Sequence, residues 1–465
     1  MERLVSKIPL RKINPRELLQ LQRSLRQGAE IKSNIDEAAL ACREEEKERY
    51  KDLLHIADPI LELKEVQDLI EQTIREEAPV MIQKGNVIRE GVEEELDQLR
   101  NIAYKGKDYL LQIQTRESEA TGIPSLKIGF NNVFGYYLEV THTHKDKVPA
   151  EWIRKQTLTS AERYITPELK EYEDKILGAE EKIQEWEQSI YQGLLDQLMP
   201  HISAIQNNAR QVGILDCLLG FALQAERHQY CAPEITEDKA LFIRDGRHPV
   251  IEQALPVGVP YIPNDVRLDR NDQQIMIITG PNMSGKSAVL RQVALTVLMA
   301  HMGSFVAARE ALIPLTDIIY TRVGASDNLS GGESTFMVEM LETASILNNL
   351  STHSLVILDE IGRGTSTYDG ISIAWSIVEY LHDHPSQAFT LFATHYHELN
   401  ELEDKLARVQ NFHITHQEEN NKVIFLRKLK KGGSHHSFGI HVARMAGMPR
   451  KLTDRAMENT GIAGR

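Results

Sequence analysis

The chain has 465 residues, a formal net charge of −14, 42% hydrophobic and 26% charged residues. That length exceeds one ordinary hydrophobic core, so about three modules are expected. The composition is that of a globular protein, the acidic balance excludes a chain that coats nucleic acid over its whole surface, and no apolar run approaches the ~20 residues of a bilayer span.

From Met1 to about Ala232 the sequence is rich in Glu, Gln, Leu, Lys and Arg and poor in Gly and Pro, which is helical composition. The texture breaks between about Asn101 and Tyr164. There Ser125–Phe130 and Tyr136–Val140 read as strands joined through Asn131-Asn132 and a bend at Gly135. This β-rich insertion and its flanks carry Lys127, Lys145, Lys147, Arg154 and Lys155, candidates for sequence-independent contact with a nucleic-acid backbone. Each of them reads equally well as an ordinary solvated cation.

Thr166-Pro167-Glu168 then starts a helix, with Thr as N-cap and Pro in the first turn. Leu169, Tyr172, Ile176, Ala179, Ile183, Trp186, Ile190, Leu194 and Leu198 form a narrow apolar seam at steps of three and four. Such a helix would reach ~50 Å at 1.5 Å per residue. It is a strut or lever, or equally an ordinary long bundle helix. Pro200 is a plausible interruption. Cys42, Cys217 and Cys231 lack metal-ligand spacing and read as buried or half-buried thiols.

From about Pro233 onward, short apolar runs alternate with helical patterns, implying a largely parallel sheet covered by helices. The run Ile275–Ile278 leads into Gly280-Pro281-Asn282-Met283-Ser284-Gly285-Lys286-Ser287, which fits G-x-x-x-x-G-K-[ST] and opens a helical pattern. Glycines let backbone N–H groups wrap phosphate oxygens at a helix N-terminus. Lys286 is expected against the β/γ-phosphates of ATP and Ser287 on Mg²⁺. Some 40 residues on, Ser330-Gly331-Gly332-Glu333-Ser334 is a second anion-binding turn. One nucleotide rarely needs two such turns, so this one is expected to cap the ATP of a second subunit; a plain helix cap by Ser330 or Ser334 is compatible with that. The run Leu355–Leu358 ends in Asp359-Glu360. Asp359 suits the Mg²⁺ position and Glu360 the general base for the attacking water. The run Phe389–Phe392 leads to His395, a candidate γ-phosphate sensor, with His397 as plain surface. The order of loop, Ser-Gly-Gly turn, Asp-Glu strand and His-ended strand is that of the ABC-type ATPases.

These motifs resemble the MutS mismatch-repair ATPases. The resemblance rests on Gly280–Ser287 with Arg291-Gln292, Ser334–Met340, Asp359–Gly370, Ala393–Leu399, Gly246–Val250 and Ser437–Ile440. Gly129-Phe130-Asn131, Gly135-Tyr136-Tyr137, Gln156–Tyr164 and Pro167–Glu173 extend it into the first half. The resemblance implies a helical core and lever over 1–100, a β-rich clamp over 101–165, a second helical arm over 166–232, and an ABC-type ATPase domain over 233–465 ending in a helical dimerisation segment. It implies that Tyr261 stacks on adenine, Asn282 helps position the hydrolytic centre, and Ser334 reaches the partner's γ-phosphate. It further implies a homodimer that clamps double-stranded DNA, repair partners of the MutL type, no membrane partner and a bacterial cytoplasmic location.

Ser284 departs from the family's usual glycine, Ala288 from a frequent hydroxyl, and Leu329–Glu333 from its usual turn. The Phe-x-Glu wedge of mismatch-detecting members occurs nowhere in the sequence, and Met1–Val5 resembles the middle of the family's core domain. The expectation is a partial chain that lacks the mismatch-reading domain. The alternatives are an ABC-class ATPase acting on branched or recombination DNA and, less favoured, one coupled to a membrane partner.

Overall fold

In a computed structural model, residues 1–465 are described except 42, 44–46, 132, 134, 238–239, 282–283, 325–334, 420–421, 435–438 and 464–465. The chain divides into two units, Met1–Cys217 and Leu218–Arg465.

The first unit is built on long helices. Pro15–Ala41, Lys64–Thr73 and Pro167–Leu198 pack around Leu18, Leu21, Leu25, Val66, Ile70, Leu194 and Leu198. Helix Pro167–Leu198 starts as its sequence dictates. The Thr166 side chain accepts from the Leu169 amide at 3.1 Å, with Pro167 in the first turn. Pro200 falls in a 3₁₀ turn, Met199–His201, that precedes the next helix, Ile202–His228.

The seam of helix Pro167–Leu198 does not serve a single partner. Leu169 and Tyr172 pack with the small sheet, whereas Ile183, Trp186, Ile190, Leu194 and Leu198 pack with the helices. Tyr191, outside the expected seam, is fully buried and donates to the Ile13 carbonyl at 2.8 Å. Nearby Glu187 is fully buried, 2.6 Å from Arg100 Nη2, and accepts from the Val87 amide at 3.3 Å. Removing one partner of such a pair leaves the other uncompensated. Glu187→Ala is therefore expected to lower unfolding stability by about 3 kcal/mol. A urea midpoint that does not move would contradict this.

The small sheet contains β1 (Lys127–Asn131), β2 (Gly135–Thr141), β3 (Ile153–Thr157) and β4 (Ala161–Ile165). It is antiparallel in the order β1-β2-β4-β3. Leu126, Leu138, Val140, Trp152 and Tyr164 fill its core. The backbone N–H of Tyr136 donates to the buried Glu173 at 2.6 Å, which fastens the β1–β2 hairpin to helix Pro167–Leu198.

The second unit carries two sheets. A four-stranded sheet has the order β5-β9-β6-β7, with β5 Glu234–Thr236, β6 Ala240–Gly246, β7 Asn264–Asp269 and β9 Glu310–Pro314. The main sheet has the order β10-β11-β12-β8-β13-β14, comprising β8 (Ile275–Thr279), β10 (Ile318–Arg322), β11 (Ser354–Asp359), β12 (Phe389–Thr394), β13 (Val409–Glu419) and β14 (Lys422–Lys431). Its strands are parallel except the edge strand β14.

Both faces of the main sheet are covered, which explains the unbroken apolar runs of β8, β11 and β12. Met276, Ile278, Leu355, Ile357 and Leu391 meet Val289, Val293 and Val297 of helix Lys286–His301 on one face. Ile275, Ile277, Val356, Leu358 and Phe392 meet Ala374, Ile377, Val378 and Leu381 of helix Thr367–Asp383 on the other.

Among the described residues, no helix is long and apolar enough to cross a membrane. Cys231 is half-buried as expected, but Cys217 is exposed. Cys42 lies outside the described residues.

Candidate functional site

Parallel pairing brings the C-terminal ends of β8, β11 and β12 side by side. Asp359 pairs in register with Ala393, and Thr394 with Thr279. The residues that follow these strands therefore gather at one edge of the sheet, where a doubly covered parallel sheet presents ligand sites.

The loop after β8 turns through Gly280 and Gly285, whose φ angles of 145° and 109° suit glycine alone, and delivers Lys286 to the first position of its helix. Lys286 is buried. Its ammonium donates to the carbonyls of Gly280 and, at 3.0 Å, Pro281, and lies 3.6 Å from a Glu360 carboxylate oxygen. Burial lowers its pKa, and the neighbouring Glu360 and Asp359 charges partly restore it. Asn282 and Met283 lie outside the described residues.

Glu360 follows β11 with a φ of 58°. A non-glycine residue there stores ~1–2 kcal/mol of backbone strain. Its amide donates to the Ala393 carbonyl at 2.8 Å, and its carboxylate pairs with Arg363. Burial raises the pKa of Asp359, opposed by a hydrogen bond from Ser287. Because the folded-state value is raised, this group favours folding in acid and loses that contribution as pH rises through its folded pKa. Above that pH it is a buried anion suited to a cation. His395 follows β12, and burial holds its pKa below the usual imidazole value, so the ring is neutral at pH 7.

Three buried polar atoms here, Ser284 Oγ, Asp359 Oδ1 and His395 Nδ1, have no hydrogen-bond partner among the described residues. Orphaned buried polar atoms call for a partner. With a buried ammonium, a helix N-terminus and an acid at a strand end, this donor set fits a phosphate chain with a divalent cation.

Tyr261 donates to Gln292 on the loop's own helix at 3.1 Å. It borders an open groove of about 590 Å³ lined also by Gln224, Arg227, Arg247, Glu252 and Val259. The residues of the second anion turn, Ser330, Gly331, Gly332 and Ser334, lie outside the described residues.

The segment after Glu360 shows what the sequence did not disclose. The Gly362 amide donates to Glu339 at 2.5 Å, and its carbonyl accepts from the Tyr396 hydroxyl at 2.9 Å. Glu339 also faces Arg322 at 3.5 Å. Glu339 stands in the motif Ser334–Met340, but nothing in its local pattern names a partner 23 residues away.

The cations of the small sheet fall into two groups. Lys145 and Arg154 lie 3.2 and 3.6 Å from Glu162, whose carboxylate is buried and held below its usual pKa by Tyr164 and then Lys145. Lys147 donates to the Gly122 carbonyl at 3.0 Å. Lys127 and Lys155 are exposed.

Comparison with known proteins joins both units. Residues 276–461 match the model of MutS domain V, and residues 91–182 match that of MutS family domain IV. The chain belongs to the MutS family. It is 59% identical over 456 residues to the DNA mismatch repair protein MutS of Christiangramia forsetii, an alignment covering 98% of this chain and 51% of that protein. Similarity to the protein of the same name from Bacteroides fragilis is 58% over 459 residues, covering 98% and 52%. For that from Cytophaga hutchinsonii it is 59% over 463 residues, covering 99% and 53%. The chain thus spans about half the length of the curated MutS relatives it matches. The loop Gly280–Ser287, Asp359-Glu360 and His395 all fall within the domain V match, and the small sheet falls within the domain IV match.

Proposed function

We propose that this chain is the ATP-hydrolysing and DNA-holding part of a DNA mismatch repair protein, acting as a homodimer. The observation that carries the proposal is the convergence of Lys286, Asp359, Glu360 and His395 at the ends of three adjacent parallel strands.

In this reading 233–465 is an ABC-type ATPase domain whose C-terminal helices, Gly439–Met445 and Arg450–Ala463, belong to the dimerisation segment. The first arm over 1–100 and the second over 166–232 form the core and lever, and 101–165 is the clamp. The backbone of Gly280–Ser287 wraps the phosphates of ATP, with Tyr261 against the adenine. Lys286 leaves the Gly280 and Pro281 carbonyls for the β/γ-phosphates. Ser287 and Asp359 would hold Mg²⁺, which when bound neutralises phosphate charge. Glu360 takes the proton of the attacking water, Asn282 aids its placement, and neutral His395 donates its one N–H to a γ-phosphate oxygen. Ser330, Gly331, Gly332 and Ser334 complete the partner subunit's site.

Hydrolysis regulates how the clamp holds double-stranded DNA, and proteins of the MutL type receive the signal in the cytoplasm. Clamp contacts to phosphates are sequence-independent and salt-sensitive. Lys127 and Lys155 are favoured over Lys145 and Arg154, which share the negative charge of Glu162. Lys127→Ala with Lys155→Ala is expected to weaken duplex binding equally for matched and mismatched DNA, and to reduce the salt slope by about one per lost phosphate contact. Fluorescence anisotropy at several salt concentrations checks this; an unchanged slope would remove these lysines from the interface. The test of the function itself is phosphate release from MgATP by this chain, and no release at any protein concentration would refute it.

A further inference from the structure

We propose that Glu339 and Tyr396 are positioning residues that hold Glu360 and His395 in place for hydrolysis, an inference that rests on reading this site as an ATPase centre. Glu360 and Gly362 have φ angles of 58° and 91°, so the segment after β11 belongs to no regular element. Its conformation has to be imposed by other groups.

Two side chains impose it, and both act on one residue. Glu339 accepts the Gly362 N–H at 2.5 Å, and the Tyr396 hydroxyl donates to the Gly362 carbonyl at 2.9 Å. Both side chains are buried, with 6% and 5% of their residues' surface exposed, so water does not compete for either bond. Glu339 is itself oriented by the buried Arg322 at the end of β10. Tyr396 is oriented by its own amide, which donates to Thr394 Oγ1 at 3.0 Å.

The grip has no slack on its other side. A Cβ placed on Gly362 would come within 2.8 Å of Gly370 Cα, in the first turn of helix Thr367–Asp383. The segment is thus wedged between that helix and the Glu339–Tyr396 pair. Glu360 is two residues away, and its own amide is tied to Ala393 at 2.8 Å. Tyr396 also lies beside the His395 ring, with centroids 4.2 Å apart. One side chain therefore bears on both groups, its hydroxyl on the segment that carries Glu360 and its ring on His395. Neither Glu339 nor Tyr396 is assigned to touch the nucleotide, so their loss should affect the rate of the bound complex rather than its formation.

Glu339→Ala would strand Arg322 and risks misfolding, so Tyr396→Phe, which removes one oxygen, carries the test. Steady-state hydrolysis and MgATP affinity are measured on the full 465-residue chain. Tyr396→Phe is expected to lower kcat about tenfold with KM within about twofold and a melting temperature lowered by no more than about 3 °C. Glu339→Gln, which keeps an acceptor for Gly362, is expected to retain more turnover than Glu339→Ala. A Tyr396→Phe chain with unchanged kcat, or one whose kcat, affinity and melting temperature fall together, would overturn the positioning role. Absence of turnover in the unsubstituted chain is a separate result: it removes the ATPase reading, and this inference with it.

Discussion

Lys286→Ala is expected to weaken MgATP binding by roughly 100-fold while leaving the nucleotide-free protein folded. Lys286 is the buried cation at the loop, and its present partners are two carbonyls of that same loop and a carboxylate 3.6 Å away. Those carbonyl bonds hold a place that phosphate oxygens would take. A charge-assisted bond to phosphate is about twice as strong as a neutral one. Burial depresses the Lys286 pKa, so the folded state supports the charged ammonium less well than water does. Below that depressed value the buried charge costs stability, so its removal is not expected to unfold the chain. Isothermal titration of MgATP into both proteins checks the affinity, and thermal melting without nucleotide checks the fold. Equal affinities would remove Lys286 from the phosphate site.

Glu360→Gln is expected to keep MgATP affinity within a few-fold and to lower steady-state turnover by about 10²–10⁴. The amide is nearly the shape of the carboxylate but cannot take a proton. The substitution also removes the anion that faces Lys286 and pairs with Arg363, freeing both cations for phosphate. Binding is therefore expected to persist, and the variant should accumulate bound ATP. Rapid-quench measurement of bound nucleotide distinguishes ATP from ADP. Unchanged turnover would refute the base assignment.

The pH dependence of turnover follows from the same site. His395 is held below the usual imidazole pKa and Asp359 above the usual carboxylate value. Turnover should then be lost on the acid side, where both groups take up protons. Between pH 7 and 8 His395 stays neutral and gives turnover no slope of its own; an imidazole titrating across that interval, followed by NMR, would contradict its neutral assignment.

The strands that carry the site were legible because they are covered on both faces. Ile275–Ile278, Leu355–Leu358 and Phe389–Phe392 stand as unbroken apolar runs, and the structure extends each by only one or two residues. Strands of the half-exposed sheets were read only in part: β1 and β2 were visible, β3, β4 and β6 were not. β6 alternates buried Leu241 and Ile243 with exposed Phe242 and Arg244, so its short apolar run Ala240–Ile243 passes directly into charged residues. The Thr166 cap and the Pro200 interruption were readable because each acts within a few residues.

What stayed hidden depends on distant pairing. Gly362 meets Glu339 and Tyr396 from 23 and 34 residues away, and neither spacing has a local signature. The five candidate cations of the small sheet look alike in sequence. All are exposed, and only folding against β4 shows that Glu162 engages Lys145 and Arg154. Tyr191 sits one residue off the expected seam because the stripe this helix buries in the helical core, Tyr191, Leu194, Leu195 and Leu198, is wider than a narrow seam.

In the proposed function, Gly280–Ser287 and Asp359-Glu360 form one ATP-hydrolysing centre. Phosphate release from MgATP, measured side by side for the unsubstituted chain and Glu360→Gln, tests it most directly. Sustained release is expected from the first and almost none from the second, with ATP bound to both. Equal release from the two, or none from either, would contradict it.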